Sequence, residues 1–258
     1  MRAHASSASL FTQFAGYVAV LGHVLTHLGA LGNPQLRIML ARQLNLQGVQ
    51  ALPLLAPLAV LGGSSVLIGL ASLLGVDNEA AIRAGLLFLW VEFAPLLTAL
   101  VMIARGSGSM AGDLALMRLH DEIAALEWLH IPPGDFLLLP RVLGAGLGAM
   151  AATAWIQLLS LLGGMALAAA VMGFKFTDQF DRTLDLANVG LLYAGIAKAF
   201  CFGLILAAVA CHQGISVHRA STEIARAGMS AVAQGMIYVF LLDSLFGVLT
   251  YFALQSPA

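Results

Sequence analysis

The chain has 258 residues, 60% of them hydrophobic and 10% charged, where a soluble globular domain carries about 45–50% and about 25%. With a mean hydropathy of +0.92 it lacks the charge to cover a water-facing surface, and the composition defines an all-α, polytopic transmembrane protein. Disorder, collagen and coiled coil are excluded on the same ground. A net charge of −1, with two lysines among twelve basic residues, argues against a nucleic-acid partner. Cys201 and Cys211 both lie in an apolar stretch and cannot supply a disulfide framework.

Residues 1–50 read as N-terminal interfacial helices. The stretch 10–31 is uncharged but holds Ser9 just before it, then Thr12, Gln13, His23, Thr26 and His27. It is expected to lie in or dip into the cytoplasmic interface, with a sixth span as the alternative. No A-x-A-like cleavage site follows a basic n-region, so a removed signal peptide is not expected. Asn33-Pro34 then marks a helix start, Asn as N-cap and Pro at the first position. The helix after it places Leu36, Met39, Leu40 and Leu44 on one face and Arg37, Arg42 and Asn45 on the other.

A bilayer's hydrocarbon core takes about 20 apolar residues as a helix. The charge-free gaps give five spans, near 51–76, 82–104, 136–173, 188–215 and 228–254, within a permease-sized domain at 51–256. Eight basic residues (Arg2, Arg37, Arg42, Arg105, Arg118, Arg141, Arg219 and Arg226) then fall on the side of the N-terminus, against Arg83, Lys175 and Arg182 on the other. The N-terminus is therefore expected inside. Three ionisable residues are left within spans, Glu92, Lys198 and Asp243. Charge at membrane depth is costly, so such residues face a cavity or a partner. Two readings stand open. They pair with one another as a structural cluster, or Glu92 is a neutral carboxyl; alternatively they line a polar path in which Lys198 attracts phosphate.

Between the second and third spans the charge is densest. Leu116, Leu119, Ile123 and Leu126 recur at helical spacing, Arg118, Asp121, Glu122 and Ala125 fall opposite, and Pro132-Pro133 ends the pattern. This predicts one amphipathic helix over 113–130, too charged to span. It is either a loop packed on its own bundle or a helix that docks into a groove on a cytoplasmic partner.

Several motifs in this region carry a family resemblance. Glu92-Phe93-Ala94-Pro95-Leu96-Leu97-Thr98-Ala99-Leu100, Ala104-Arg105-Gly106, Leu116-Met117-Arg118-Leu119-His120-Asp121-Glu122-Ile123-Ala124-Ala125-Leu126-Glu127, His130-Ile131-Pro132-Pro133 and Pro140-Arg141 resemble the MlaE/YrbE family of lipid ABC-transporter permeases. Lys198 to Gly203, Cys211 to Gly214 and Leu242-Asp243 resemble family positions further on, so that the likeness covers roughly 34–255. The chain departs from the usual pattern at Val91, where the family has Arg, and at Pro132-Pro133, where it has Asp-Pro.

The resemblance implies a permease that moves phospholipid between the bacterial inner membrane and a periplasmic MCE-type lipid-binding protein. It also implies a homodimer, with lipid held between the copies. The ATPase would be a separate cytoplasmic subunit docking on Arg118, Leu119, Asp121, Glu122, Ile123, Leu126 and Glu127 of the coupling helix. The residues agree on that last point. No G-x-x-x-x-G-K-[ST] loop exists, since the only lysines, Lys175 and Lys198, follow Phe174 and Ala197. No cofactor is expected on this chain, ATP being bound by the partner. The competing readings are an ion- or proton-coupled secondary transporter using the three buried charges as a relay, and a structural scaffold. Minor candidates are weaker still. His23 and His27 stand at i, i+4 without a nearby carboxylate or cysteine in sequence, so no metal is expected. The small-xxx-small pairs Gly108/Gly112 and Gly144/Gly148 are common by chance in a chain with 27 glycines. No set of residues suggests an enzyme.

Overall fold

The structure, a computed structural model, describes residues 2–75, 78–217 and 221–255, which are helical almost throughout with no strand among them. Arg219 and the outer ends of the first predicted span and of the predicted permease domain lie outside the described residues. The helices are α1 (Arg2–Thr26), α2 (Pro34–Gln47), α3 (Leu52–Leu74), α4 (Glu79–Leu119), α5 (Glu122–Trp128), α6 (Gly134–Met172), α7 (Phe176–Leu186), α8 (Val189–Ile215) and α9 (Ser221–Gln255). Five stretches are long and apolar enough to cross a membrane, Pro34–Leu74, Glu79–Leu119, Gly134–Met172, Val189–Ile215 and Thr222–Thr250. The protein is thus an all-α, multi-pass membrane protein.

Local chemistry explains the boundaries. Asn33 caps α2, its side chain accepting from the Gln35 N–H, with Pro34 in the first turn. Leu36 is buried and Met39, Leu40 and Leu44 are half-buried, while Arg37, Arg42 and Asn45 face outward. That face lies against α6, where Gly144 and Gly148 admit Gln43 and Gly48. Helix α1 packs on α8 through buried Tyr17. The Tyr17 hydroxyl donates to Gln234 of α9, and Gln213 Nε2 of α8 donates to both, at 2.9 Å and 2.7 Å.

One expectation is corrected. The single helix predicted over 113–130 is two: α4 continues to Leu119, and α5 starts afresh at Glu122. Between them Asp121 takes φ +57°, a left-handed conformation that Asp tolerates better than most residues and that ends an i→i−4 ladder. At the far end His130 also adopts φ +57°. There the Ile131 N–H reaches Leu126 O and the His130 N–H reaches Glu127 O, which closes α5 in a Schellman motif.

The core is shared by α4, α6 and α8, with Ile103, Leu114, Leu139, Val142, Phe202 and Leu206 all but fully buried. Helix α8 is central, packing on α6, α9, α4 and α1. It comes closest to α4 at Gly195, where an added Cβ would stand 1.9 Å from Trp90 O and 2.6 Å from Gln157 Nε2. Gly247 on α9 has nothing within 4 Å of the same position. Gly195→Ala should therefore cost about 1–3 kcal/mol through overpacking. Gly247→Ala should be neutral or gain up to about 1 kcal/mol from helix propensity. Thermal unfolding of the two purified variants checks the contrast; equal melting would contradict this crossing.

Candidate functional site

Pro95 has no N–H to give to the carbonyl four residues back, and the helix adjusts ahead of it. Over Phe88–Phe93 it widens to a π-turn, the Ala94 N–H reaching five residues back to Leu89 O. Such bulges recur at functional positions because they re-aim side chains without ending the helix. Here the freed Trp90 carbonyl accepts from Gln157 Nε2 of α6 at 2.9 Å, and Gln157 Nε2 also reaches Leu192 O of α8 at 3.3 Å. Glu92 lies in this widened stretch.

The three ionisable residues predicted at membrane depth meet there. Lys198 Nζ donates to Glu92 Oε2 at 2.6 Å and lies 2.7 Å from Asp243 Oδ1. The Lys198 side chain is 1% exposed, against 26% for Glu92 and 18% for Asp243. Its ammonium also stands 5.9 Å from the Phe202 ring centroid. One cation is thus enclosed by carboxyl groups from α4 and α9, with α8 supplying it. Below it, Thr98 and Thr153 share a buried hydroxyl contact at 2.7 Å that ties α4 to α6.

The predicted docking residues divide. Arg118, Asp121, Glu122 and Glu127 are exposed. Leu119 and Leu126 are half-buried, and Ile123, 4% exposed, belongs to the main core. Leu116, grouped by its spacing with Leu119, Ile123 and Leu126, is exposed, while Leu114 and Ala115 are buried. The most exposed apolar side chains of this segment are Trp128, at 85%, and Leu129, at 69%. Sequence reading passed over both, although a tryptophan beside Pro132-Pro133 in a charged loop was a usable signal. Arg105, in a second π-turn, donates from Nη1 to Gln50 O at 2.6 Å and so fixes the joint between α2 and α3.

Two further regions complete the inventory. A narrow apolar cleft, lined by Leu67, Leu70, Ile82, Leu86, Met165 and Phe174 among others, opens at the end of the bundle away from α5. Its rim is α7, whose Phe176 and Phe180 stack at 5.6 Å while Asp178, Asp181 and Arg182 face outward. At the α5 end, His23 and His27 of α1 do have a carboxylate beside them, that of Asp135.

The described residues form a bundle of membrane-crossing helices whose intramembrane charges close on one another. The Permease MlaE family profile matches residues 40–249, and the chain belongs to that family of ABC transporter permeases. It is 24% identical over 240 residues to a probable ABC transporter permease protein of Rickettsia typhi, covering 91% of each chain. A probable ABC transporter permease protein of Synechocystis is 25% identical over 150 residues, 58% of this chain and 57% of that protein. The chloroplast protein TRIGALACTOSYLDIACYLGLYCEROL 1 of Arabidopsis thaliana is 24% identical over 156 residues, 59% of this chain and 43% of that protein. An ABC permease is moved by an ATPase and carries a substrate; it is not itself the enzyme.

The ion cluster makes a sharp prediction. Lys198→Met leaves two largely buried carboxyl groups without their cation and should cost about 3–5 kcal/mol. Replacing all three together, Glu92→Leu, Lys198→Met and Asp243→Leu, should recover most of that loss. Denaturant unfolding in detergent checks it: a single variant as stable as the parent would contradict the enclosed cation.

Proposed function

We propose that this chain is the membrane-embedded permease of an ATP-driven phospholipid transporter of the bacterial inner membrane, passing lipid to or from a periplasmic MCE-type carrier and working as a homodimer. The observation that carries the lipid reading is the apolar cleft between α3, α4, α6 and α7. Its lining suits an acyl chain, and it offers little to a polar solute. The name of the Arabidopsis relative, which is that of a glycerolipid, points the same way. The homodimer rests on α9, which leaves Ile237, Phe240, Leu241, Leu245 and Val248 exposed along its length. In a bilayer such a face meets either lipid or a second copy.

In this reading the Glu92–Lys198–Asp243 cluster is a lock rather than a relay. Its ammonium is already held by two carboxyl groups and has almost no exposed surface, so a phosphate would first have to displace them. The relay of a secondary transporter needs access to water that Lys198 lacks. The ATPase docks on the surface that the α4–α5 break presents: Arg118, Asp121, Glu122 and Glu127, with Trp128 and Leu129 as apolar anchors. Buried Ile123 and half-buried Leu126 hold this surface to the bundle, and half-buried Leu119 is less open to a partner than the charged residues beside it.

The test follows from that division. Trp128→Ala combined with Glu122→Lys should reduce co-purification of the ATPase at least about tenfold, a hot-spot loss of roughly 1.4 kcal/mol or more. The amount of permease in the membrane should be unchanged. Full retention of the ATPase would reject the docking surface. Mass spectrometry of the purified complex should find glycerophospholipid, and a complex free of lipid but loaded with a polar solute would reject the cargo.

A further inference from the structure

We propose that His23, His27 and Asp135 form a binding site for a divalent transition ion, zinc being the one that fits best, which staples the end of α1 to the start of α6. One ring nitrogen from each histidine and one carboxylate oxygen lie within 4.8 Å of one another. Ligands of a tetrahedral zinc ion, with bonds of about 2.0–2.1 Å, stand about 3.4 Å apart. Closing the difference takes a turn of the exposed His27 ring out of its 4.1 Å stack on His23. Two imidazoles and one carboxylate are also a ligand set that zinc takes in open sites, where water completes the shell.

Three features show that this cluster is built rather than scattered. His23 Nε2 already faces Asp135 Oδ1 at 2.8 Å, across 112 residues of sequence. The His27 Nδ1 stands 3.0 Å from the His23 carbonyl oxygen, which can only accept. That contact puts the ring proton on Nδ1 and leaves the Nε2 lone pair for a ligand bond, the arrangement that orients metal-binding histidines. Finally, the chain passes so close at Gly134 that an added Cβ would stand 2.3 Å from His23 Nε2. A side chain at position 134 would press on the His23 ring that faces Asp135. A bound ion replaces the proton between His23 Nε2 and Asp135 Oδ1, with the His23 ring proton then on Nδ1. The consequence is mechanical: α1 becomes tied to the segment directly following α5, the surface assigned above to the ATPase, although the site itself does not depend on that assignment.

The experiment uses the full chain in detergent, freed of any affinity tag and stripped with chelator. Titration with Co²⁺ should give the visible absorption of a low-coordinate site at a single ion per chain, and Zn²⁺ should displace it. His27→Ala, which removes an exposed side chain, and Asp135→Asn should each weaken binding at least about tenfold. Gly134→Ala, which keeps all three ligands but pushes on His23, should do the same. Replacing His120 and His130 together should leave binding unchanged. Zn²⁺ should raise the melting temperature of the parent and not that of His27→Ala. No stoichiometric binding, or binding indifferent to His27→Ala and Gly134→Ala, would overturn the site.

Discussion

A lysine ammonium in a low-dielectric interior has to be answered by charge, because no water is there to answer it. The whole bundle is arranged around that constraint. Lys198 projects from the middle of α8, the most central helix, and its two partners come from α4 and α9. Each buried charge is costly alone, at about 2.5–3.5 kcal/mol on insertion scales, and the set is tolerable only when three helices keep one register. The π-turn ahead of Pro95 and the bare backbone of Gly195 are what bring α4 near enough to α8 for Glu92 to take part. A buried cluster of this kind contributes specificity of arrangement more than net stability.

With the middle fixed, function divides between the two ends. One end carries an apolar cleft rimmed by the amphipathic α7. The other carries a short charged helix, capped by left-handed residues at both its edges and presenting a bare tryptophan. The first has the chemistry to hold a lipid tail, the second the chemistry to be gripped by a soluble protein. Between them lies the ion cluster that joins α4, α8 and α9, in a chain that belongs to the MlaE permease family.

Much of this was legible in the sequence, and the reason is physical. Charge-free gaps of span length read directly as membrane-crossing helices, and a lone Glu, Lys or Asp inside such a gap demands a partner. The N-cap at Asn33 and the apolar face of α2 were equally plain. What stayed hidden depends on contacts between distant segments. Periodicity could not show that Asp121 would leave the helix, since a left-handed residue costs only a kilocalorie or so and the apolar spacing runs on through it. Nor could it show that Asp135 stands beside His23, 112 residues away. Gln157, an amide alone in a long charge-free stretch, was a signal of the same kind as Lys198. It was overlooked because amides are cheaper to bury than charges.

The most direct measurement is of the distances at the centre. Dipolar recoupling in solid-state NMR, with ¹⁵N at Lys198 Nζ and ¹³C in the carboxyl groups of Glu92 and Asp243, reads both separations in a lipid bilayer. Enclosure of the ammonium predicts that both carboxyl carbons lie within about 4 Å of Nζ. A separation beyond about 6 Å to either one, with the lysine open to water or headgroups, would contradict it.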